Sequence, residues 1–276
     1  MKKPKLVLGT VQLGMKYGLN NKDGQPGKEE AFSILDAALE NGIHTFDTAY
    51  TYGNAEIVLG DWIKARGLRD KIYVISKMRH HVPGRATANL DIAGEEIKKS
   101  LRRLNIGELG GYLLHSPEDI GPDMIASLVR AKQKGLVKNI GASIYTEKEG
   151  RKALELGIDY MQIPYNAFDQ RLDKGDFFEL TKKNQVTVFA RSPFLQGLLL
   201  MKPDHIPSHL TRARPHVQKF RAIAAEHDLS PIEAALAFVY ANPGIQHIVF
   251  GVETLPQLQE IFRAAAQVSK KHTAVW

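Results

Sequence analysis

Apolar and polar positions alternate between two rhythms along this chain. Short apolar runs recur as KLVLGT (5–10), IHTFDT (43–48), IYVISK (72–77), GYLLHS (111–116), KNIGAS (138–143), YMQIPY (160–165), VTVFAR (186–191) and HIVFGV (247–252). Several are apolar without alternation, as strands covered on both faces must be. Between them the period lengthens to that of a helix. EEAFSILDAALENG places Phe32, Leu35 and Leu39 on one face and stops at Gly42, and IAGEEIKKSLRRLN groups Ile92, Ile97, Leu101 and Leu104 near one stripe. MIASLVRAKQKG ends in lysines and Gly135, a finish suited to the helix dipole and a left-handed cap. Further helices fit NAEIVLGDWIKARG, KEGRKALELG, KGDFFELTKKN, HVQKFRAIAAEHD, SPIEAALAFVYAN and LPQLQEIFRAAAQV. In SPIEAALAFVYAN, Ser230 is placed to cap and Pro231 to open the first turn.

Eight strands alternating with helices predict parallel strands joined by right-handed crossovers, and eight such units close most readily into an α/β single (β/α)8 TIM barrel. One barrel spanning 1–276 suits the length of 276 residues. A doubly wound open sheet is the competing arrangement, but GTVQLG after the first strand lacks the spacing of a dinucleotide fingerprint. The longest connection, 192–213, follows the seventh strand, and loops of that length usually carry a function.

Composition narrows the picture. The absence of cysteine removes disulfides and thiolate metal sites, and no metal is expected. The apparent N-terminus MKKPKLVLG lacks a long apolar segment and reads as a poor signal peptide, and no run of about 18 apolar residues is present. The expectation is a cytoplasmic monomer without a membrane partner. Net charge is 37 − 30 = +7. The basic residues are scattered, densest at Lys98–Arg103 and Lys270–Lys271, so no nucleic-acid partner is expected.

A barrel places its chemistry at the carboxyl ends of the strands. There stand Thr10, Asp47, Lys77, His115, Ser143, Gln162, Arg191 and Gly251. A structural layer would consist mostly of Val, Ile, Leu and Ala, so this ring is the strongest functional signal in the chain. Taken singly, each member has an ordinary structural explanation. Taken together, Asp47, Tyr52, Lys77 and His115 supply what carbonyl reduction needs. Oxygen develops alkoxide character when carbon accepts hydride, and a general acid must protonate it. A phenol, with a pKa near ~10, is reluctant. An adjacent ammonium favours its phenolate, a carboxylate holds that ammonium, and an imidazole orients the carbonyl.

FDTAYTYGNAE (46–56), ISK (75–77), LLHSPED (113–119), IGAS (140–143), MQIPYNAFDQR (161–171), ARSPFLQGLLL (190–200) and FGVETLPQLQE (250–260) together resemble the motifs of the aldo-keto reductase superfamily, in order and over nearly the whole chain. The resemblance implies a nicotinamide cofactor extended across the barrel mouth. Ser143 and Gln162 then resemble the pair that binds its carboxamide. Thr10 and Val11 resemble neighbours of the nicotinamide ribose, and Asp47 also belongs to the cofactor contacts. Ser192, Phe194, Gln196 and Gly197 resemble the pyrophosphate loop, and Lys202 a lysine set against phosphate. Gly251, Glu253, Gln257 and Glu260 resemble the adenosine-side segment.

Three departures stand out. Arg191 occupies a position that usually stacks an aromatic ring on the nicotinamide. Ile144 and Ile261 replace common polar contacts. Gly251 and Gln257 replace the usual basic residues, which weakens the argument for strict NADPH use, although Lys202 with Arg212 and Arg214 could neutralise a 2′-phosphate. NADP(H) is favoured and NAD(H) remains open. Many relatives also begin with a hairpin that plugs the barrel floor; MKKPK is too short for one, so side chains are expected to seal it.

The expected substrate is a small carbonyl compound, sugar-like or anionic, in a pocket rimmed by Gln12, Tyr17, Tyr50, Met78, Arg79, Phe194 and the tail near Trp276. The alternative is an NADP(H)-binding regulatory or sensor subunit with slow turnover. A Schiff-base lyase using Lys77 is disfavoured, because Asp47 would keep that lysine protonated.

Overall fold

The computed structural model describes residues 4–21, 23–79 and 91–270, with side chains to 268. Eight parallel strands form a closed barrel in sequence order: β1 (Lys5–Gly9), β2 (Thr45–Asp47), β3 (Tyr73–Met78), β4 (Leu109–Leu114), β5 (Val137–Ser143), β6 (Tyr160–Pro164), β7 (Thr187–Arg191) and β8 (His247–Gly251). The barrel closes where Gly9 of β1 pairs with Gly251 of β8. Around it run α1 (Val11–Gly14), α2 (Lys28–Glu40), α3 (Ala55–Arg66), α4 (Ile92–Leu104), α5 (Pro122–Gln133), α6 (Glu147–Glu155), α7 (Phe177–Lys183), α8 (Arg214–Glu226), α9 (Pro231–Ala241) and α10 (Leu255–Lys270). The expected barrel is therefore the observed one. No helix of the described residues is long and apolar enough to cross a membrane.

Local signals act where the sequence placed them. Ser230 accepts from the Glu233 amide while Glu233 answers at the Ser230 amide, a reciprocal cap on α9 with Pro231 at its first position. The 192–213 connection differs from a plain loop. It coils into short 3₁₀ turns within Leu195–Leu200, interrupted at Gln196 and Gly197, over Pro203–His205, and within Ser208–Ala213, kinked at Leu210, and packs a small core of Leu198, Met201, Ile206 and Val217.

Strand alternation sorts side chains into two sets. Leu8, Phe46, Val74, Leu114, Ile140, Met161, Val188 and Ile248 join the large core between sheet and helices. Val7, Ile75, Leu113, Phe189 and Val249 form a separate cluster inside the barrel. Both faces are apolar, which is why the runs read without alternation. The inward set turns polar at the carboxyl ends, and the cleft opens there.

Below the inner cluster, side chains close the floor. Tyr73 and Tyr160 share a hydrogen bond of 2.8 Å between their hydroxyls, and Asn139 donates to the Tyr73 oxygen at 2.5 Å. Tyr73 also donates to the Gly110 carbonyl. The His247 imidazole stacks on Phe189 at 4.4 Å. Burial, aided by the nearby Lys5 cation, depresses the His247 pKa from 6.5 to about 4. The unfolded chain therefore binds an extra proton between those values, and stability falls as pH drops from 6.5 towards 4. This single group accounts for a loss on the order of 3 kcal/mol. Chemical denaturation of the parent and His247→Gln across this window should show a shallower pH dependence in the variant.

Candidate active site

β2 ends at Asp47 and β3 carries Lys77 one step inside the rim, so the two side chains meet in the barrel mouth. Lys77 Nζ donates to Asp47 Oδ1 at 2.5 Å, to the Thr48 carbonyl at 2.9 Å and to Tyr52 Oη at 3.3 Å. An ammonium has three hydrogens and no lone pair, so all its donors are used. Lys77 is fully buried and Asp47 nearly so. Burial pulls the lysine pKa down; the charge of Asp47, then that of Tyr52, outweighs it and holds the ammonium above the ordinary lysine value. A permanently charged amine is a poor Schiff-base nucleophile, which speaks against the lyase reading.

Because Lys77 can only donate, Tyr52 Oη accepts from it, and the phenolic hydrogen is free to point into the cleft. The ammonium also lies 4.9 Å from the centre of the Tyr52 ring. His115, just beyond β4, meets the Tyr52 ring edge-on at 5.7 Å, and its Nδ1 is 3.2 Å from Thr51 Oγ1. Asp47 is further tied from the other side of the barrel, where Gln162 Nε2 donates to its Oδ2 at 2.8 Å. Thr10 anchors the same residue through its backbone: the Thr10 amide and hydroxyl both donate to the Asp47 carbonyl.

Tyr52 sits in a turn packed against α1. A Cβ on Gly14 would stand 2.0 Å from the Tyr52 carbonyl, and Gly53, at φ 58°, would place one 2.2 Å from the Gly14 carbonyl. Only glycine permits this approach on both sides.

The cleft above this group has a volume of about 690 Å³. Its wall includes Val11, Asp47, Tyr52, His115, Ser143, Gln162, Arg191, Ser192, Phe194, Gln196, Gly197, Gly251, Glu253, Gln257 and Glu260, so these candidates share one space. Three candidates do not line it. Lys77 lies behind Tyr52. Thr10 turns its hydroxyl to the Asp47 backbone, and Gly9 takes its place on the wall. Lys202 is exposed and off the wall, where Arg221 of α8 stands instead. Arg212 and Arg214 are likewise off the wall. Of the expected pocket rim, Gln12, Tyr17 and Phe194 line the cleft. Met78 is buried in the outer core and Arg79 pairs with Glu96, while Tyr50 packs against arginines outside the barrel. Trp276 lies outside the described residues. Tyr145, Asn20 and Arg221 were missed. Tyr145 follows Ser143 by two residues and had a signal of position; Arg221 lies within a helix and had none.

Past β7, Ser192, Leu195, Gln196 and Gly197 all have positive φ. These left-handed residues fold the loop back on itself, with the Leu195 and Gly197 amides donating to the Ser192 and Phe194 carbonyls at 3.0 Å. The Ser192 carbonyl accepts from Asn166 Nδ2, and the Gln196 carbonyl from the Leu19 amide, which fixes the loop from both flanks. At the far end the cleft reaches Ser230 and Pro231 at the start of α9 and Gln257 in the first turn of α10. Among the described residues, Arg191 Nη2 and Gln12 Oε1 are buried in this cleft without a hydrogen-bond partner.

The comparisons bear on family and fold. The model of the aldo/keto reductase family matches residues 5–275. The uncharacterized oxidoreductase YqkF of Bacillus subtilis (strain 168) is 29% identical, the match covering 95% of this chain and 90% of that protein. The aldo-keto reductase str7 of Strobilurus tenacellus is 28% identical over 94% of this chain and 82% of its own. The crystal structure of a candidate aldo-keto reductase from Pseudomonas aeruginosa superposes with a TM-score of 0.70 at 23% identity, covering 98% and 92% of the two chains, and supports the fold alone. The family model and these relatives support an oxidoreductase. The chain belongs to the aldo/keto reductase family.

Removing Asp47 would leave a buried ammonium uncompensated. Asp47→Ala should cost about 3–5 kcal/mol in a denaturant melt, far more than an exposed pair such as Lys28–Asp61 is worth.

Proposed function

We propose that the protein reduces an aldehyde or ketone to an alcohol at the expense of NAD(P)H, with Tyr52 as the proton donor. The observation that carries this reading is the 3.3 Å contact of Lys77 Nζ with Tyr52 Oη at the wall of an open cleft shared with His115.

The cleft suits a long dinucleotide. The loop 192–197 lines the cleft, and the helix starts at Ser230 and near Gln257 favour negative charge. The unpartnered Arg191 and Gln12 atoms are polar groups that a polar ligand would satisfy. Ser143 and Gln162 would hold the nicotinamide end, Ser192, Phe194, Gln196 and Gly197 the diphosphate, and Glu253, Gln257 and Glu260 the adenosine end. When bound, the reduced cofactor supplies a hydride to the carbonyl carbon.

The remaining chemistry belongs to the chain. His115 and Tyr52 orient the carbonyl oxygen. Tyr52 passes its proton to that oxygen as negative charge develops, and the Lys77 ammonium stabilises the phenolate left behind. Asp47 and the Thr48 carbonyl keep the ammonium aimed at Tyr52. The acid is restored by a proton from solvent reaching the open cleft.

The sequence favoured NADP(H) partly through Lys202, Arg212 and Arg214. With those off the cleft wall, Arg191 and Arg221 are the cations on it; with Arg191 assigned to the nicotinamide end, NADP(H) ahead of NAD(H) now rests on Arg221. The polar wall of Gln12, Tyr17, Asn20 and Tyr145 favours a polyhydroxylated or anionic carbonyl substrate over a bulky apolar one.

Tyr52→Phe should lower the turnover of carbonyl substrates by about 10²–10⁴-fold while cofactor affinity stays near that of the parent, measured by NADPH or NADH oxidation over a panel of aldehydes and ketones. Unchanged turnover would refute the acid assignment. Arg191 stacks on Tyr145 with 4.7 Å from guanidinium carbon to ring centre, which keeps its charge in the cleft. A cation there repels an oxidised nicotinamide. Reduced cofactor should therefore bind more tightly than oxidised by on the order of tenfold, about 1.4 kcal/mol, and Arg191→Met should narrow the gap in fluorescence titrations.

A further inference from the structure

The inner face of β3 presents Lys77; its outer face, one residue earlier, presents Ser76. Ser76 is completely buried and donates to Glu56 Oε1 at 2.6 Å. Glu56 lies in the first turn of α3, four residues after Tyr52, and is itself buried. Its second oxygen is 3.4 Å from Arg103 Nη1 of α4. The Arg103 guanidinium carbon stands 3.9 Å from the centre of the Tyr50 ring. Arg79 approaches the same ring at 5.6 Å while its guanidinium is held by both oxygens of buried Glu96. α4 can deliver Arg103 because Gly60 lets the helices close: a Cβ there would stand 2.0 Å from the Arg103 carbonyl.

This polar network lies on the outer side of the backbone whose inner side holds Asp47, Lys77 and Tyr52. It grips the Tyr52 turn at two points, through Tyr50 before it and Glu56 after it. It grips the Lys77 strand through Ser76. The backbone between is sewn by the Tyr50 amide to the Lys77 carbonyl at 3.3 Å. The contact it brackets, Lys77 to Tyr52, is near the long limit of a hydrogen bond, so a shift of one ångström removes it. An exposed network would have little hold on such a distance. This one is largely shielded, and a buried carboxylate has few alternative partners.

We propose that Glu56, together with Ser76 and Arg103, positions the Tyr52 hydroxyl against the Lys77 ammonium. The inference rests on Tyr52 being the proton donor. It assigns a function in the reaction to a carboxylate that touches neither cleft nor substrate.

The test uses the full-length protein, D,L-glyceraldehyde and NADPH as probes, and the variants Ser76→Ala, Glu56→Gln, Arg103→Ala and Arg103→Lys beside Tyr52→Phe. Folding is checked by circular dichroism and cofactor affinity by NADPH fluorescence. In Ser76→Ala and Glu56→Gln, kcat should fall by about 10- to 100-fold with the NADPH Kd within about twofold of the parent. The basic limb of the kcat–pH profile should move to higher pH, because a phenol farther from the ammonium holds its proton more tightly. Arg103→Lys, which keeps a cation beside Tyr50 and Glu56, should recover most of what Arg103→Ala loses. If Tyr52→Phe is inactive but folded Ser76→Ala and Glu56→Gln match the parent in kcat and pH profile, the positioning role is overturned. A fall in kcat with an unmoved basic limb overturns it as well. Should Glu56→Gln fail to fold, the part-exposed Arg103 pair decides by the same two readouts. Full activity in Tyr52→Phe would instead remove the acid assignment on which the inference stands.

Discussion

A lysine ammonium sealed inside a protein is tolerable only when every hydrogen finds an acceptor and a negative charge lies close. Lys77 meets both conditions with Asp47, the Thr48 carbonyl and Tyr52. Much of the surrounding architecture serves that requirement. Thr10 fixes the Asp47 backbone, Gln162 reaches across the barrel to its second oxygen, and α1 presses the Tyr52 turn into place through Gly14 and Gly53. The third acceptor, Tyr52, is the one on which the proposed reaction rests. Lys77 would be adequately solvated by two protein oxygens and a water; a phenol in that position turns a satisfied buried charge into a means of stabilising a phenolate.

The closed floor complements this arrangement. Tyr73, Tyr160, Asn139 and His247 fill the amino end with stacked rings and shared hydrogen bonds, while the inner apolar cluster separates them from the mouth. One end of the barrel is thus committed to stability and the other left open for ligands. The neutral state enforced on His247 belongs to the first part: it titrates against folding, at the opposite end from the chemistry.

The eight strands and the inward rim residues were legible because strand ends carry polar side chains where packing alone would demand aliphatic ones. Asp47, Lys77 and His115 stand out for that reason. What escaped the sequence was direction within a residue or two. Thr10 was placed on the cleft wall, but alternation in β1 puts Gly9 inside and spends the Thr10 hydroxyl on the Asp47 backbone. Tyr50, Met78 and Arg79 were expected at the pocket for the same reason and face away from it. Lys202 was assigned from its place after the loop motif, yet the 3₁₀ turns with their own small core leave it off the wall. Arg221 could not be read at all, because only the packing of α8 onto that core brings it to the cleft. A helix-borne cation leaves no trace in local periodicity when its element is identified correctly but its facing is unknown.

Two opposed sets of polar side chains, Lys77 inside and Ser76 outside, hang from adjacent residues of one short strand. Substituting either removes one side chain and leaves the register of both sets as it is. Adding or deleting a single residue in β3 exchanges them, turning the ammonium toward α3 and the hydroxyl toward the mouth. The strand is therefore far less forgiving of changes in length than of changes in composition, and its reading frame, rather than any one of its side chains, is the quantity most tightly constrained.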